Sequence, residues 1–192
     1  MHILRCALLS FLLAFAAGVP QRATAEEWTF PPRSENGEGS SLLLVGTGTV
    51  ERNYVPFYSM ALYVPLSVRT TDQVLSGLSV CRVRIIWALP QLDQTAVHDY
   101  WLKVIQAAAG TENFARVKTQ VERLAQSMPA AQRGQNVVFD YVPDAGMKVL
   151  VDDKPVAQLA GVEFNRTLLA IWLGPTAPKD VRASLSAGFH KK

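Results

Sequence analysis

The sequence predicts an α+β domain: an antiparallel sheet with helices packed on one face. Three observations lead there. Apolar and polar residues alternate with period two over residues 42–50, 54–64 and 81–89, the spacing of half-buried strands. After Pro90 the period turns helical, and three further short strands follow the helical stretch. Strands and helices thus come in segregated runs, which disfavours a βαβ arrangement with a parallel sheet.

The first 25 residues read as an export leader. A short basic start, an apolar run over residues 6–19 that is too short to span a membrane and stay, and Ala23-Thr24-Ala25 fit a signal peptide cleaved before Glu26. Cys6 lacks the context of a lipid attachment site. The mature protein is expected to be periplasmic or secreted, with no stable membrane anchor. Residues 26–41 include Pro31-Pro32 and Asn36-Gly37-Glu38-Gly39-Ser40 without hydrophobic periodicity, and read as a flexible lead. One domain over residues 42–187 should follow, then a tail over 188–192.

Within that domain residues 42–50 and 54–64 read as a hairpin, and Cys81, Val83, Ile85, Trp87 and Leu89 share one face of a third strand that Pro90 ends. Ala96, Val97, Tyr100, Trp101, Val104, Ile105 and Ala108 form one helical stripe. A second helix after Gly110 carries Phe114, Val117, Val121, Leu124 and Met128 at spacings of three and four. Residues 135–142, 146–151 and 155–159 form a meander, joined by Pro143-Asp144-Ala145-Gly146 and Asp152-Asp153-Lys154. Helical spacing returns through Phe164, Leu168, Ile171 and Trp172, stops at Gly174-Pro175 and resumes weakly over residues 179–187.

Composition excludes several functions. Losing the leader removes Arg5 and Arg22, so 17 Lys and Arg face 16 Asp and Glu and the formal charge falls from +3 to +1; nucleic acid is not an expected partner. Cys81 is then the only cysteine, which excludes an internal disulfide and any multi-cysteine metal site. It reads as a small core residue. His98 falls on the polar side of its helix and His190 in the tail, so no metal site is expected. Gly46-Thr47-Gly48 lacks the third glycine and the Lys-Ser/Thr of a phosphate cradle; these glycines thin the strand or admit close backbone approach. Asn165-Arg166-Thr167 matches a glycosylation sequon inside a packed helix and reads as coincidence.

The best candidate for a ligand site is the hairpin over residues 50–64, which sets one arginine, Arg52, and several tyrosines, Tyr54 and Tyr58 among them, between apolar residues. A guanidinium does not shed its charge, so an Arg52 turned into an apolar cavity must meet an anion there. A solvated hairpin-tip arginine beside core tyrosines is the alternative reading of the same residues.

The segments Phe57-Tyr58-Ser59-Met60-Ala61-Leu62-Tyr63-Val64, Val149-Leu150-Val151-Asp152-Asp153-Lys154-Pro155-Val156, Gly161-Val162-Glu163-Phe164 and Ala170-Ile171-Trp172-Leu173-Gly174 occur in order. Together they resemble the exported bacterial branch of the chalcone isomerase-like family, over roughly residues 42–187. The resemblance implies an open-faced β-sandwich with a ligand cleft between sheet and helices. In the plant enzymes of that family, a phenolate attacks an enone within one molecule, and an arginine with polar groups stabilises the developing charge. Arg52 matches the arginine position. Tyr58 stands where the enzymes have a threonine, and their tyrosine and asparagine fall near Ala96 or Val97 and Lys103; Tyr100 could substitute only from one helical turn away. Arginine plus tyrosine is instead similar to the family's non-catalytic fatty-acid binders.

These residues together imply a non-catalytic, exported binder of a small amphipathic or aromatic ligand such as a fatty acid. Arg52 and Tyr58 form its anion clamp, with Tyr54, Tyr100 and Trp101 around them, and no cofactor. Two other expectations stand beside it: an intramolecular lyase acting on an enone, and a structural or partner-binding protein whose cleft has collapsed around Tyr54, Phe57 and Trp101.

Overall fold

A computed structural model describes residues 28–190, so the leader and its cleavage point lie outside the described residues. The elements in chain order are β1 (Arg33–Glu35), β2 (Ser41–Arg52), β3 (Val55–Val64), α1 (Thr71–Leu75), β4 (Cys81–Trp87), β5 (Gln91–Leu92), α2 (Gln94–Ser127), β6 (Ala131–Gln132), β7 (Asn136–Val142), β8 (Gly146–Val151), β9 (Lys154–Leu159), α3 (Val162–Leu173) and α4 (Lys179–Leu185). A 3₁₀ turn over Ala187–His190 follows. Seven strands form one curled antiparallel sheet in the order β1-β2-β3-β4-β7-β8-β9, and β5 pairs with β6 in a small ribbon. The α+β class and the single helix-covered face follow the sequence expectation.

Strand parity sets the core. Cys81, Val83, Ile85 and Trp87 all face the helices and join one buried cluster, because period-two side chains share a face. Met60 and Leu62 from β3, Phe139 from β7 and Val149 from β8 extend that face. The helices close it with Val97, Tyr100, Trp101 and Ile105 from the first half of α2, Val117, Val121 and Leu124 from its second half, and Phe164, Leu168 and Trp172 from α3. The two halves of α2 are separate helices, as the sequence predicts: Gly110 between them has φ 70° and ψ 169°, a conformation glycine reaches without steric cost.

Gly46 serves close approach, whereas a Cβ on Gly48 would make only ordinary contact, 3.8 Å from Leu185 and Ser184. A Cβ built on Gly46 would lie 2.1 Å from the carbonyl oxygen of Ser184, so the bare strand lets the end of α4 rest on β2. Gly188 in the 3₁₀ turn meets the Val45 carbonyl in the same way, at 2.3 Å. The expected tail over 188–192 therefore begins as a packed turn, with Phe189 against the core.

The lead also differs from expectation. Residues 33–35 pair with residues 41–43 of β2, and Asn36 is buried. The Tyr63 hydroxyl donates to the Pro31 carbonyl at 3.0 Å, and the Gly37 amide donates to Asp140 Oδ2 at 2.8 Å. Local periodicity is silent there because these anchors are long-range: Asp140 lies 103 residues away. The segment straps the outer face of the sheet, where Leu42, Ala61 and Tyr63 form a second small cluster with Phe30.

Candidate functional site

The β2–β3 hairpin turns at Asn53 and Tyr54, whose φ values of 51° and 62° suit a two-residue primed turn. Arg52 is the last residue before that turn and pairs with Val55. A bulge follows: Val50 opposes Tyr58 and Glu51 opposes Pro56, leaving Phe57 as the extra residue of β3. Bulges re-aim side chains, and here Phe57 and Tyr58, adjacent in sequence, both join the helix-facing core.

Aromatic rings from five elements meet beside the bulge. Tyr58 meets Trp87 edge-on at 5.5 Å, Trp87 meets Tyr100 at 6.0 Å, and Trp101 meets Tyr100, Phe139 and Trp172 at 5.2, 5.3 and 6.4 Å between centroids. Tilted and edge-to-face pairs of this kind follow the ring quadrupoles. The Arg52 guanidinium caps the group, its Cζ 4.8 Å from the Phe57 centroid and 4.7 Å from that of Tyr100, a cation–π arrangement. Among the described residues Arg52 has no carboxylate partner.

Beneath that cap the Tyr58 hydroxyl oxygen accepts from the Tyr100 hydroxyl at 2.8 Å and from Trp172 Nε1 at 2.8 Å. An indole donates and does not accept, and the Tyr58–Tyr100 contact holds a single proton. Whichever hydroxyl donates in it, the proton of the other has no acceptor within the group. Burial pushes Tyr58 up to about 12, against the smaller opposing pulls of its two hydrogen bonds and of the Arg52 charge. Burial likewise raises Tyr100 well above the usual phenol value, with the nearby Tyr58 adding to it and Arg52 opposing. Both are therefore neutral donors at physiological pH. Trp101 Nε1 is a further buried donor with no partner.

Of the residues singled out from sequence, the structure brings together Arg52, Tyr58, Tyr100 and Trp101. Tyr54 stands apart at the hairpin tip, 97% exposed. Tyr100 reaches Tyr58 from the helix stripe. Trp87 and Trp172 were legible only as core residues; no local signal marks the Trp172 indole as the donor that holds Tyr58. The cluster holds no carboxylate, imidazole or thiol, so it offers an acceptor-seeking surface without a base. The rings are tightly enclosed: Tyr58 and Trp101 are fully buried. A separate surface depression of about 420 Å³ lies between α1, the end of α3 and α4, with Asp72, Lys179 and Arg182 on its walls; it shares no residue with the cluster. Among the described residues no group of His, Cys, Asp and Glu could hold a metal ion, and no helix is long and apolar enough to cross a membrane.

Comparison with known proteins agrees with this architecture. No curated protein matches the sequence. Among solved structures, a fatty-acid binding protein of Arabidopsis thaliana is similar with a TM-score of 0.63 and 12% identity, over 82% of this chain and 97% of that one. At so low an identity the likeness concerns the fold. A family model described as chalcone isomerase-like matches residues 23–185. With most of its length matched and the same curled sheet beneath helices, the chain belongs to the chalcone isomerase-like family.

Proposed function

We propose that this protein is a non-catalytic binder of a small amphipathic carboxylate such as a fatty acid, with Arg52 and the hydrogen-bonded Tyr58–Tyr100 pair as its anion clamp. The observation that carries the reading is the excess of donors: a guanidinium without a carboxylate, and a hydroxyl proton without an acceptor, at one end of an apolar core. A carboxylate supplies two acceptor oxygens and a negative charge, and a charged acceptor makes the stronger kind of hydrogen bond. Tyr58, standing where the family's enzymes have a threonine, supports binding over turnover. The plant protein of similar fold is named for binding fatty acids, which supports the class of ligand.

Entry requires the cap to move. Arg52 is exposed and lies over the buried Phe57 and Tyr100 rings, so the arginine is the side chain that swings aside. The action is assigned to the periplasm or the extracellular space, as in an exported bacterial branch of the family, on the strength of the leader-like first 25 residues.

Titration with decanoic acid and its methyl ester tests the clamp. Wild type should prefer the acid, and Arg52→Ala should weaken acid binding by about 1.5–3 kcal/mol, the range for hydrogen bonds to a charged group. Arg52→Lys should recover part of that, because an ammonium keeps the charge and loses the planar fork. Equal affinity for acid and ester, or an unchanged constant in Arg52→Ala, would leave the arginine as a solvated cap.

A further inference from the structure

Three buried side-chain nitrogens among the described residues lack any hydrogen-bond partner: Asn36 Nδ2, Asn165 Nδ2 and Trp101 Nε1. Asn36 belongs to the strap on the outer face, and Asn165 lies beside Cys81, whose Sγ is 4.0 Å from its Oδ1. Only Trp101 sits in the aromatic cluster. Its indole is fully buried, packed between Tyr100, which holds the hydroxyl pair, and Phe139 and Trp172 deeper in the core. Leaving a buried donor unmade is costly, and native structures pair nearly all of them. An acceptor atom brought by a ligand would satisfy this N–H. In a ligand site it is a specificity device, since a site built to hydrogen-bond a substrate group rejects the analogue lacking that group.

We propose that Trp101 Nε1 is a second polar anchor of the ligand, so that the preferred ligand is an oxygenated acid. Its carboxylate meets Arg52 and the tyrosine pair, and a second acceptor, a ketone or hydroxyl oxygen further along the molecule, meets the indole. This rests on the carboxylate reading above. Trp101 packs directly against Tyr100, with 5.2 Å between ring centroids, so the indole borders the clamp. A saturated acid would fill the clamp and leave the indole unpaired.

Decanoic acid and its 3-oxo, 5-oxo and 7-oxo derivatives separate the two ideas. Wild type should bind one oxo acid about tenfold more tightly than decanoic acid, the worth of one neutral hydrogen bond. Trp101→Phe removes the N–H together with part of the buried ring, so the readout is the ratio of oxo acid to decanoic acid affinity, which should fall to about one. A measurement on wild type alone guards against a misfolded variant: the indole ¹H–¹⁵N signal of Trp101, assigned by its proximity to Tyr100 and Phe139, should move downfield with the favoured oxo acid and not with decanoic acid. No oxo acid preferred in wild type, a preference that survives Trp101→Phe, or an indole signal that ignores every oxo acid overturns the anchor, and leaves the N–H resting on a neighbouring ring face. Decanoic acid binding without oxo preference refutes only the anchor; failure of every acid to bind refutes the carboxylate clamp and the anchor with it.

Discussion

A phenol that touches Phe57, Trp87 and Tyr100 and is fully enclosed keeps its proton because its anion would lose nearly all hydration. Tyr58 is pushed up to about 12 from 10.0, and Cys81 to about 12 from 9.0, in both cases chiefly by burial, with the Asp140 charge adding to the thiol's shift. For both groups the folded state holds the proton more tightly than the unfolded chain. Their contribution to stability is therefore complete below about pH 9, and it is lost as pH rises toward 12. Denaturation midpoints should fall over that window, and Cys81→Ala should shallow the fall by removing the thiol's share while costing about 1 kcal/mol for the small cavity. A bulky thiol reagent at pH 8 should label the native protein no faster than it unfolds. Rapid labelling, or a midpoint flat through pH 11, would contradict the burial of both groups. Tyr58→Phe strips the acceptor from two donors at once, so its cost of about 1–3 kcal/mol should appear in stability as well as in binding.

Two glycines show how one residue type does different work in different elements. Gly46 lies where the end of α4 rests on β2, and a methyl group there meets backbone oxygen at 2.1 Å, which no side-chain rotation relieves. Gly110 has open space around it and needs only its positive φ. Gly46→Ala should cost about 1–3 kcal/mol or more through overpacking, detected as a loss of α4 amide protection before global unfolding. Gly110→Ala should cost about 1–3 kcal/mol through backbone strain alone and leave α4 untouched. Equal effects on α4 exchange would mean that the approach is not what Gly46 is for. The sequence carried part of this: the pair of glycines in β2 signalled a close approach, but nothing local named α4 as the partner. The long strands and both halves of α2 were legible because their periodicity is imposed by burial on one face. β1, α1 and the β5–β6 ribbon, all five residues or fewer, are too short to show a period. The bulge at Phe57 was not legible either, since strict alternation would send Phe57 to the face opposite Tyr58, and the candidate site depends on their sharing one.

At the scale of the whole molecule the sheet does separate jobs on its two faces, and the outer one is held by charge. Asp140 on β7 is almost fully buried, accepts from Arg82 Nε and Nη2 at 3.3 and 2.8 Å, and accepts from the Gly37 amide at 2.8 Å. Arg82 Nη1 then donates to Ser34 Oγ at 2.9 Å, so one ion pair ties β4, β7 and the strap together. A buried pair of this kind gains little over an apolar pair of the same shape, but breaking one side leaves an uncompensated charge. Asp140→Ala should therefore destabilise the protein by about 3–5 kcal/mol, and the loss should begin locally, with amides of residues 33–40 exchanging before the rest of the sheet. Replacing both partners, Arg82→Met with Asp140→Leu, should return much of the stability, yet it should not restore protection at Gly37, whose acceptor is gone. Because the pair lies on the face away from the aromatic cluster, acid binding measured where the variants are still folded should match wild type. Uniform loss of protection across the sheet in Asp140→Ala would mean that the strap and the sheet unfold as one unit; altered acid affinity in the double variant would mean that the two faces are coupled through the strands between them.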